Sequence, residues 1–527
     1  MAYLDDLMKE AESGAKKKKK EEKKPAKEEK KPLPEEVALP EVSEIDLPGQ
    51  KVLIAQYGDV KIYRVEGEPL PFYTVPVIKP SGPEKIILNT IKEAATRLIT
   101  VSPEEIRDPI RRREFYLKKV KEIIINSPEL GVPSTKIDFY SDMVVREMIG
   151  YGVLDSLVKD EELEEIMVIG PQRPVFLWHI KYGMVKTNIM FGNDEEILNI
   201  ASRIAREVNR RIDVQQPILD ARLPDGSRVN ATVPPISLNG VTMTIRKFRK
   251  DPFTIIDLVN FGTINPELAA FMWMAADGLN AKPANILISG GTSSGKTTTL
   301  NAIVSFINPK ERVLTIEDTA EVHLPIEHWV RFETRPPSIE GTGEVTLDIL
   351  VKNSLRMRPD RIIVGEVRHA EAFTMFTAMN TGHDGCLGTV HANSAHETVI
   401  RLINPPMNVP IVMLDALDLV IVEQKILDRR KGMVRRVTEV SEIESFTAGM
   451  PQMRTLFEWD PPTDTIKKNN VPSKYVQKLQ KYTGMSKKDI DLELEKRKEF
   501  IEDLCTRGIR KFEDVVEEVK KFQGSSK

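Results

Sequence analysis

At 527 residues the chain is too long for one hydrophobic core, so two or three domains with tails are expected. Hydrophobic residues are 41% and charged residues 29%, the balance of a globular body, and a net charge of −3 excludes polyanion binding through overall charge. The only cysteines, Cys386 and Cys505, make neither a disulfide framework nor a zinc ribbon. No apolar run approaches the ~18 residues of a membrane span, and no apolar signal core follows the N-terminal basic region. The expectation is a cytoplasmic protein, with any membrane contact peripheral.

In chain order, residues 1–12 suit a short amphipathic helix with Leu4, Leu7 and Met8 on one side. From Lys16 to Pro32 there are ten Lys and four Glu and no apolar residue larger than Ala, so this stretch cannot bury enough surface to fold alone. It reads either as a solvated linker or as a basic tether for an acidic surface. From Val52 to Val77 short alternating runs predict strands, punctuated by Gly58 and Gly67. From Glu84 to Asn126 the spacing is helical, and Ile106, Ile110, Tyr116, Val120 and Ile124 form a candidate buried stripe. Residues 140–170 predict a helix, a turn, a short helix and a strand, followed by alternating strands and helices to Phe248.

Beyond Asp251 the pattern changes. The runs NILISG, RVLTIE, RIIVGE, CLGTVHA and LDLVIVE are apolar on both faces, as in a parallel sheet covered by helices. The Lys/Glu-rich stretch from Lys467 predicts helices that serve as a structural cap or a partner-docking surface. The expected division is a disordered tail over 1–40, a strand and helical region over 41–139, an α/β domain over 140–248, an α/β core over 249–458 and a helical extension over 459–527.

Gly290, Gly291, Thr292, Ser293, Ser294, Gly295, Lys296 and Thr297 satisfy G-x4-G-K-[ST], after the strand NILIS and before the helical stretch that Thr298 continues. That context predicts a phosphate cradle: glycines let backbone N–H groups close on phosphate oxygens, and the helix N-terminus adds a favourable dipole. Lys296 reaches the β- and γ-phosphates of ATP and the Thr297 hydroxyl binds Mg²⁺.

Chemistry in a parallel sheet sits at the carboxyl ends of strands. RVLTIE ends in Glu317 with Asp318 next, and RIIVGE ends in Glu366. One acidic cluster orients or deprotonates the attacking water and the other holds Mg²⁺ through Asp318 or Glu366; the sequence leaves open whether Glu317 or Glu366 is the base. His383 and His391 lie eight residues apart with a strand between them. They read as a sensor of the transferring phosphoryl group, as core or loop histidines, or, lacking a nearby Cys pair or third spaced ligand, less well as a zinc site.

Taken in order, GGTSSGKTT, TIEDTAE, RPDRIIVGEVR and TGH with TVHAN resemble the Walker A, Asp, Walker B and His boxes of the secretion-ATPase superfamily, over residues 140–450. One departure is that the Walker B strand ends in Gly-Glu where Asp is usual. The resemblance implies a RecA-like P-loop core behind a smaller α/β N-terminal domain. It also implies a cytoplasmic homohexamer using ATP and Mg²⁺ on a polytopic membrane platform protein with accessory motor proteins. N-terminal-domain arginines of the family reach bound nucleotide. Arg222 and Arg228 match that role, with Arg246 a third candidate; the alternative is that they pair with Asp220 or Asp225 in a turn. The lack of a tetracysteine module is most similar to the archaeal branch, and within it LPDGSR, the Lys/Glu-rich N-terminal tail and the helical C-terminal tail resemble the archaellum motor ATPase. Archaeal type II secretion and pilus assembly ATPases remain the alternative. A nucleic-acid translocase would place basic residues near the core, whereas here the Lys run is confined to a tail next to Glu residues, so no nucleic-acid partner is expected. A non-hydrolysing scaffold is disfavoured by the two intact acidic clusters.

Removing residues 1–32 is expected to leave ATP hydrolysis by the purified protein within about twofold, since the stretch cannot join a packed core. If the Lys run is a tether, sedimentation with anionic liposomes should lose about 1 kcal/mol per Lys that lies near the surface. Unchanged, salt-insensitive sedimentation excludes the tether.

Overall fold

The computed structural model describes residues 49–76, 82–101, 105–106, 108–249, 251–337, 341–428, 431–447 and 449–525. The expected helix over 1–12 and the Lys/Glu stretch 16–32 lie outside them. The chain divides into two compact units.

The first comprises Met1–Lys159, Val168–Ile200 and Asn239–Val241. Its strands Lys51–Tyr57, Val60–Val65, Phe72–Thr74, Gly183–Met190 and Pro174–His179 lie side by side in that order. Along Pro174–His179 alternate residues are buried, which marks a sheet with one covered face. Three helices, Gly82–Leu98, Pro109–Asn126 and Ile137–Ile149, share a core that includes Leu88, Ile91, Tyr116, Val120, Ile124, Tyr140 and Val144. The second of these starts where Asp108 caps it, accepting from the backbone N–H of Ile110 at 2.9 Å, with Pro109 in the first turn. Ile110 does not belong to the buried stripe: it is 71% exposed. It stands six residues before Tyr116, which at 100° per residue turns it about 120° away from the Tyr116–Val120–Ile124 face.

The second unit comprises Asp160–Met167, Ala201–Leu238 and Thr242–Lys527. One group of its strands runs in the order Leu163–Val168, Thr242–Arg246, Arg228–Thr232, Ile218–Arg222. The register places Arg222 opposite Arg228 and Arg228 opposite Arg246, so three arginines form one row across the ladder.

The large sheet follows the order Trp329–Glu333, Val313–Glu317, Arg361–Val367, Leu387–Val390, Ile286–Gly290, Leu419–Asp428, Gly432–Thr447, Met450–Asp460, Thr465–Lys468. The first six are parallel; five of them are the two-faced apolar runs, Trp329–Glu333 is a further edge strand, and every residue of Ile286–Gly290 and Val313–Glu317 is buried. The last three strands are antiparallel and were not foreseen as part of this sheet.

Helix Pro266–Asp277, capped by the Asn265 side chain, is buried from Leu268 to Asp277. Such a helix must be covered on every side. Part of that cover is the C-terminal helical stretch: Tyr475, Leu479, Ile490, Leu494, Ile501 and Leu504 belong to the same core cluster. Trp273 stacks on Phe306 with centroids 4.7 Å apart and meets Phe500 and Phe522 edgewise or tilted. Arg497 reaches into this layer and pairs with Asp277 at 3.1 Å, both buried. Burial pushes the Asp277 carboxyl up and the Arg497 guanidinium opposes it.

Removing one partner of such a pair leaves an uncompensated buried charge. Arg497→Leu is therefore expected to cost about 3–5 kcal/mol in urea unfolding followed by tryptophan fluorescence, and the Asp277→Leu/Arg497→Leu double variant to recover most of it. Equal stability of the single variant and the parent would show that the C-terminal helices are not integral to this unit.

Candidate active site

The site is built at the carboxyl ends of the parallel strands. Strand Ile286–Gly290 runs into the glycine-rich loop, and the helix Lys296–Val304 begins directly after Gly295. Two glycines are dictated by close approach. A Cβ on Gly290 would stand 2.2 Å from the Glu423 carbonyl oxygen, and one on Gly295, at φ +114°, would stand 2.3 Å from Glu423 Oε1. Ser293 takes φ +58°, and Thr292 and Ser293 are exposed at the loop tip. Ser294 Oγ is buried without a hydrogen-bond partner, where a Cβ on Gly290 would stand 2.4 Å from it. Thr297 and Thr298 are half-buried in the first helical turn.

Lys296 is 8% exposed. Its Nζ donates to the carbonyls of Gly290 at 2.9 Å and Gly291 at 2.8 Å, and lies 3.5 Å from His391 Nδ1. Burial lowers its pKa, while the carboxylates of Glu366 and Glu423 favour the charged form. His391 Nε2 in turn lies 2.9 Å from Glu366 Oε1, without the alignment of a hydrogen bond, since that oxygen counts as unpartnered. Glu366 Oε2 accepts from Arg368 at 2.5 Å, and Arg368 also stands 3.8 Å from Asp318. One chain of charges thus joins the phosphate loop to both acidic clusters.

The two candidate bases differ in environment. Glu317 is 2% exposed; its Oε1 accepts from the N–H groups of Glu321 at 2.8 Å and Val322 at 2.9 Å, and its Oε2 has no partner. Burial raises its pKa to about 7 against those two hydrogen bonds. Burial also acts to raise Glu366, but Arg368, His391 and Lys296 outweigh it and hold that carboxyl below its ordinary value. Gly365 lets the two clusters approach, because a Cβ there would lie 2.9 Å from Glu317 Cγ. Thr297, Asp318 and the ionised Glu366 offer the hard oxygen donors that Mg²⁺ prefers, so these residues fit that ion.

His383 is not brought to this cluster. It precedes strand Leu387–Val390, whereas His391 follows it, and a strand of that length separates the two by more than 10 Å. The His383 ring nitrogen Nδ1 instead lies 3.3 Å from the Ala378 carbonyl, at the end of helix Glu371–Asn380. The strand between them thus leaves His391 beside Lys296 and Glu366 and His383 at the Ala378 carbonyl.

Arg222 and Arg228 do not pair with the turn aspartates. Asp220 accepts from Asn230 at 3.0 Å and Asp225 from the Ser227 N–H at 2.9 Å. Arg222 instead pairs with Glu333 and lines a cavity of about 250 Å³ with Ala320, Arg331, Phe332 and Glu333. Arg228 is exposed. Arg246 is close enough to Lys296 to depress its pKa. Like charges opposite one another weaken a ladder, so this arginine row costs stability and calls for anionic partners. Sequence reading missed Arg368, Arg435 and Glu423. Glu423 carried a signal, since it is the one acid ending the buried run LDLVIVE.

A glycine-rich loop between a buried parallel strand and a helix, with a buried lysine and carboxylates on the neighbouring strand ends, defines a P-loop ATPase. More narrowly, the chain belongs to the family described as Type II/IV secretion system protein, which it matches over residues 149–458. It is 40% identical over 408 residues to an uncharacterized protein of Methanocaldococcus jannaschii, covering 73% of this chain but only 53% of that protein, so it spans about half that relative's length. A second uncharacterized protein of the same organism is 33% identical over 494 residues, 89% of this chain and 88% of that one. Among solved structures, the VirB11 ATPase from the Brucella suis type IV secretion system is 25% identical with a TM-score of 0.28, covering 55% of this chain and 92% of that one.

Glu366→Gln is expected to keep nucleotide affinity and lower turnover by at least about a hundredfold, the scale of a lost proton-transfer or water-orienting group. Glu317→Gln should turn over measurably faster than Glu366→Gln in a phosphate-release assay. The opposite ranking moves the water-activating role to Glu317.

Proposed function

We propose that the protein is a hexameric ATP-driven motor that powers assembly or rotation of an archaellum, or assembly of a type IV pilus-like filament, at the inner face of the cell membrane. One observation carries the catalytic part: Lys296 lies 3.5 Å from His391, which lies 2.9 Å from Glu366 on its other side. In this reading the loop N–H groups and Lys296 bind the β- and γ-phosphates. His391 stands where a donor meets the transferring group. Glu366, held ionised, orients the attacking water and accepts its proton. Mg²⁺, held by Thr297 with Asp318 or Glu366, would supply positive charge for the phosphate oxygens. The family membership and the absence of any long apolar helix among the described residues agree with a motor that works beside the membrane on a polytopic platform protein. The choice of archaellum over pilus or secretion system rests on the LPDGSR stretch and the charged tails alone.

The arginine row completes the proposal. Charge on the transferring phosphoryl group calls for a further cation, and an arginine supplied by a neighbouring subunit is worth about 10³–10⁵ in rate. Arg228, exposed in the middle of the row, is assigned that role toward the next subunit, with Arg222 beside it.

Lys296→Ala and Arg228→Ala proteins should each hydrolyse ATP poorly, and mixing them should restore part of the activity. Mixed oligomers then contain interfaces where an intact phosphate loop faces an intact arginine. Activity that stays at the level of the parents, in a mixture shown by native mass spectrometry to form mixed oligomers, refutes the arrangement between subunits. Wild-type turnover by Lys296→Ala refutes the site itself.

A further inference from the structure

The phosphate loop rests on a strand that supplies none of the four boxes. Leu419–Asp428 runs parallel to Ile286–Gly290, with Glu423 in register with Gly290. Its next neighbour, Gly432–Thr447, pairs with it antiparallel and brings Arg435 opposite Lys425. Two side chains of this hairpin turn toward the loop. Glu423, 1% exposed, accepts from the Thr299 hydroxyl at 2.8 Å and fills the space beneath Gly295. Arg435 Nε donates to the carbonyl of Ser293 at 3.0 Å. Ser293 is the loop's non-glycine residue with positive φ, at +58°. A non-glycine residue there costs free energy and persists only where its surroundings over-determine it.

The contacts fall on both sides of the N–H groups that a phosphate would meet. Arg435 fixes the peptide that follows Ser293, and Glu423 fixes the turn from Gly295 into the first helical turn through Thr299. The two charges also complement each other and Lys296: Arg435 and Lys296 both favour the ionised form of Glu423, which burial opposes. A buried carboxylate with one hydroxyl donor is expensive to maintain, so its place beneath the loop calls for a reason beyond filling space.

We propose that Glu423 and Arg435 are positioning residues that clamp the phosphate loop from below and set its affinity for nucleoside di- and triphosphates. This rests on the reading of the loop as the nucleotide site. Neither residue touches the reacting atoms; each holds N–H donors in the geometry that a polyphosphate needs, so the binding cost of ordering the loop is met in advance. Such a contribution is shared by ground state and transition state and therefore acts on affinity more than on turnover.

The test uses the full chain and three variants, Arg435→Gln, Arg435→Lys and Glu423→Gln, with Lys296→Ala as reference. Affinity for fluorescent ADP and ATP analogues is measured by titration, and KM and kcat are measured separately. Arg435→Gln is expected to weaken both nucleotides about tenfold, the scale of one hydrogen bond from a charged group, and to raise KM by a similar factor, with a much smaller change in kcat. Arg435→Lys, which keeps a charged donor within reach, should recover most of the affinity. Glu423→Gln keeps an acceptor for Thr299 and loses the charge, so it should weaken binding less than Arg435→Gln. An Arg435→Gln/Glu423→Gln double variant, measured alongside, should fall short of the product of the two single effects, because both act on one loop. The clamp is overturned if Arg435→Gln binds like the parent while Lys296→Ala does not, or if it lowers kcat and leaves affinity unchanged. If Lys296→Ala also binds like the parent, the nucleotide-site reading fails and the clamp with it.

Discussion

The buried ammonium of Lys296 is the charge around which the second unit is arranged. A lysine 8% exposed is costly to keep protonated, and it is held by two loop carbonyls with the carboxylates of Glu366 and Glu423 nearby. Each of those carboxylates then needs its own balance. Arg368, His391 and Lys296 stabilise Glu366, whereas Thr299 and Arg435 only partly offset the burial of Glu423, whose pKa stays at about 7. The glycines follow from the same crowding: Gly290 and Gly295 leave room for Glu423, and Gly365 leaves room for Glu317. The loop, the lysine and the strand-end carboxylates therefore read together as one site.

The contrast between Glu317 and Glu366 shows how two carboxylates on neighbouring strand ends acquire different uses. Glu317 lies in the sheet interior and spends one oxygen on two backbone N–H groups, so it orders the segment from Asp318 to Val322. Glu366 lies a strand further across, beside Arg368 and His391, with one oxygen free of any hydrogen bond. A carboxyl near pH 7 is better matched as a proton acceptor. The role proposed for Glu366 rests on position instead, because a general base must first reach the proton it removes, and Glu366 is the one on the side of Lys296. Arg368 sets the remaining condition, since it bridges toward Asp318 and so couples the second acidic cluster to the first.

Much of this was legible in the sequence where the signal is local. The phosphate loop is contiguous, and its flanking strand and helix are readable from an apolar run and a helical stretch. The strand-end acids were legible for the same reason, because a buried parallel strand is an uninterrupted apolar run and its last residue stands out. What was not legible depends on distance along the chain. His383 and His391 lie eight residues apart, but a strand between them sends them to opposite ends, and only its direction decides which one meets Lys296. Ile110 fits an apolar tally but lies off the face that Tyr116 and Val120 define. The C-terminal helices show ordinary amphipathic spacing, and nothing in their composition reveals that they cover a helix buried on all sides more than 200 residues earlier, through contacts such as Arg497 with Asp277.

The arginine row carries the remaining step of synthesis. Register alone places Arg222, Arg228 and Arg246 in one line, an arrangement that a free-standing ladder would disfavour. The row is graded. At one end Arg246 acts electrostatically on Lys296, at the other Arg222 is neutralised by Glu333, and Arg228 and Arg246 are both exposed. In the oligomeric motor proposed above, a neighbouring subunit's nucleotide would offset part of the cost paid in the ladder at Arg228.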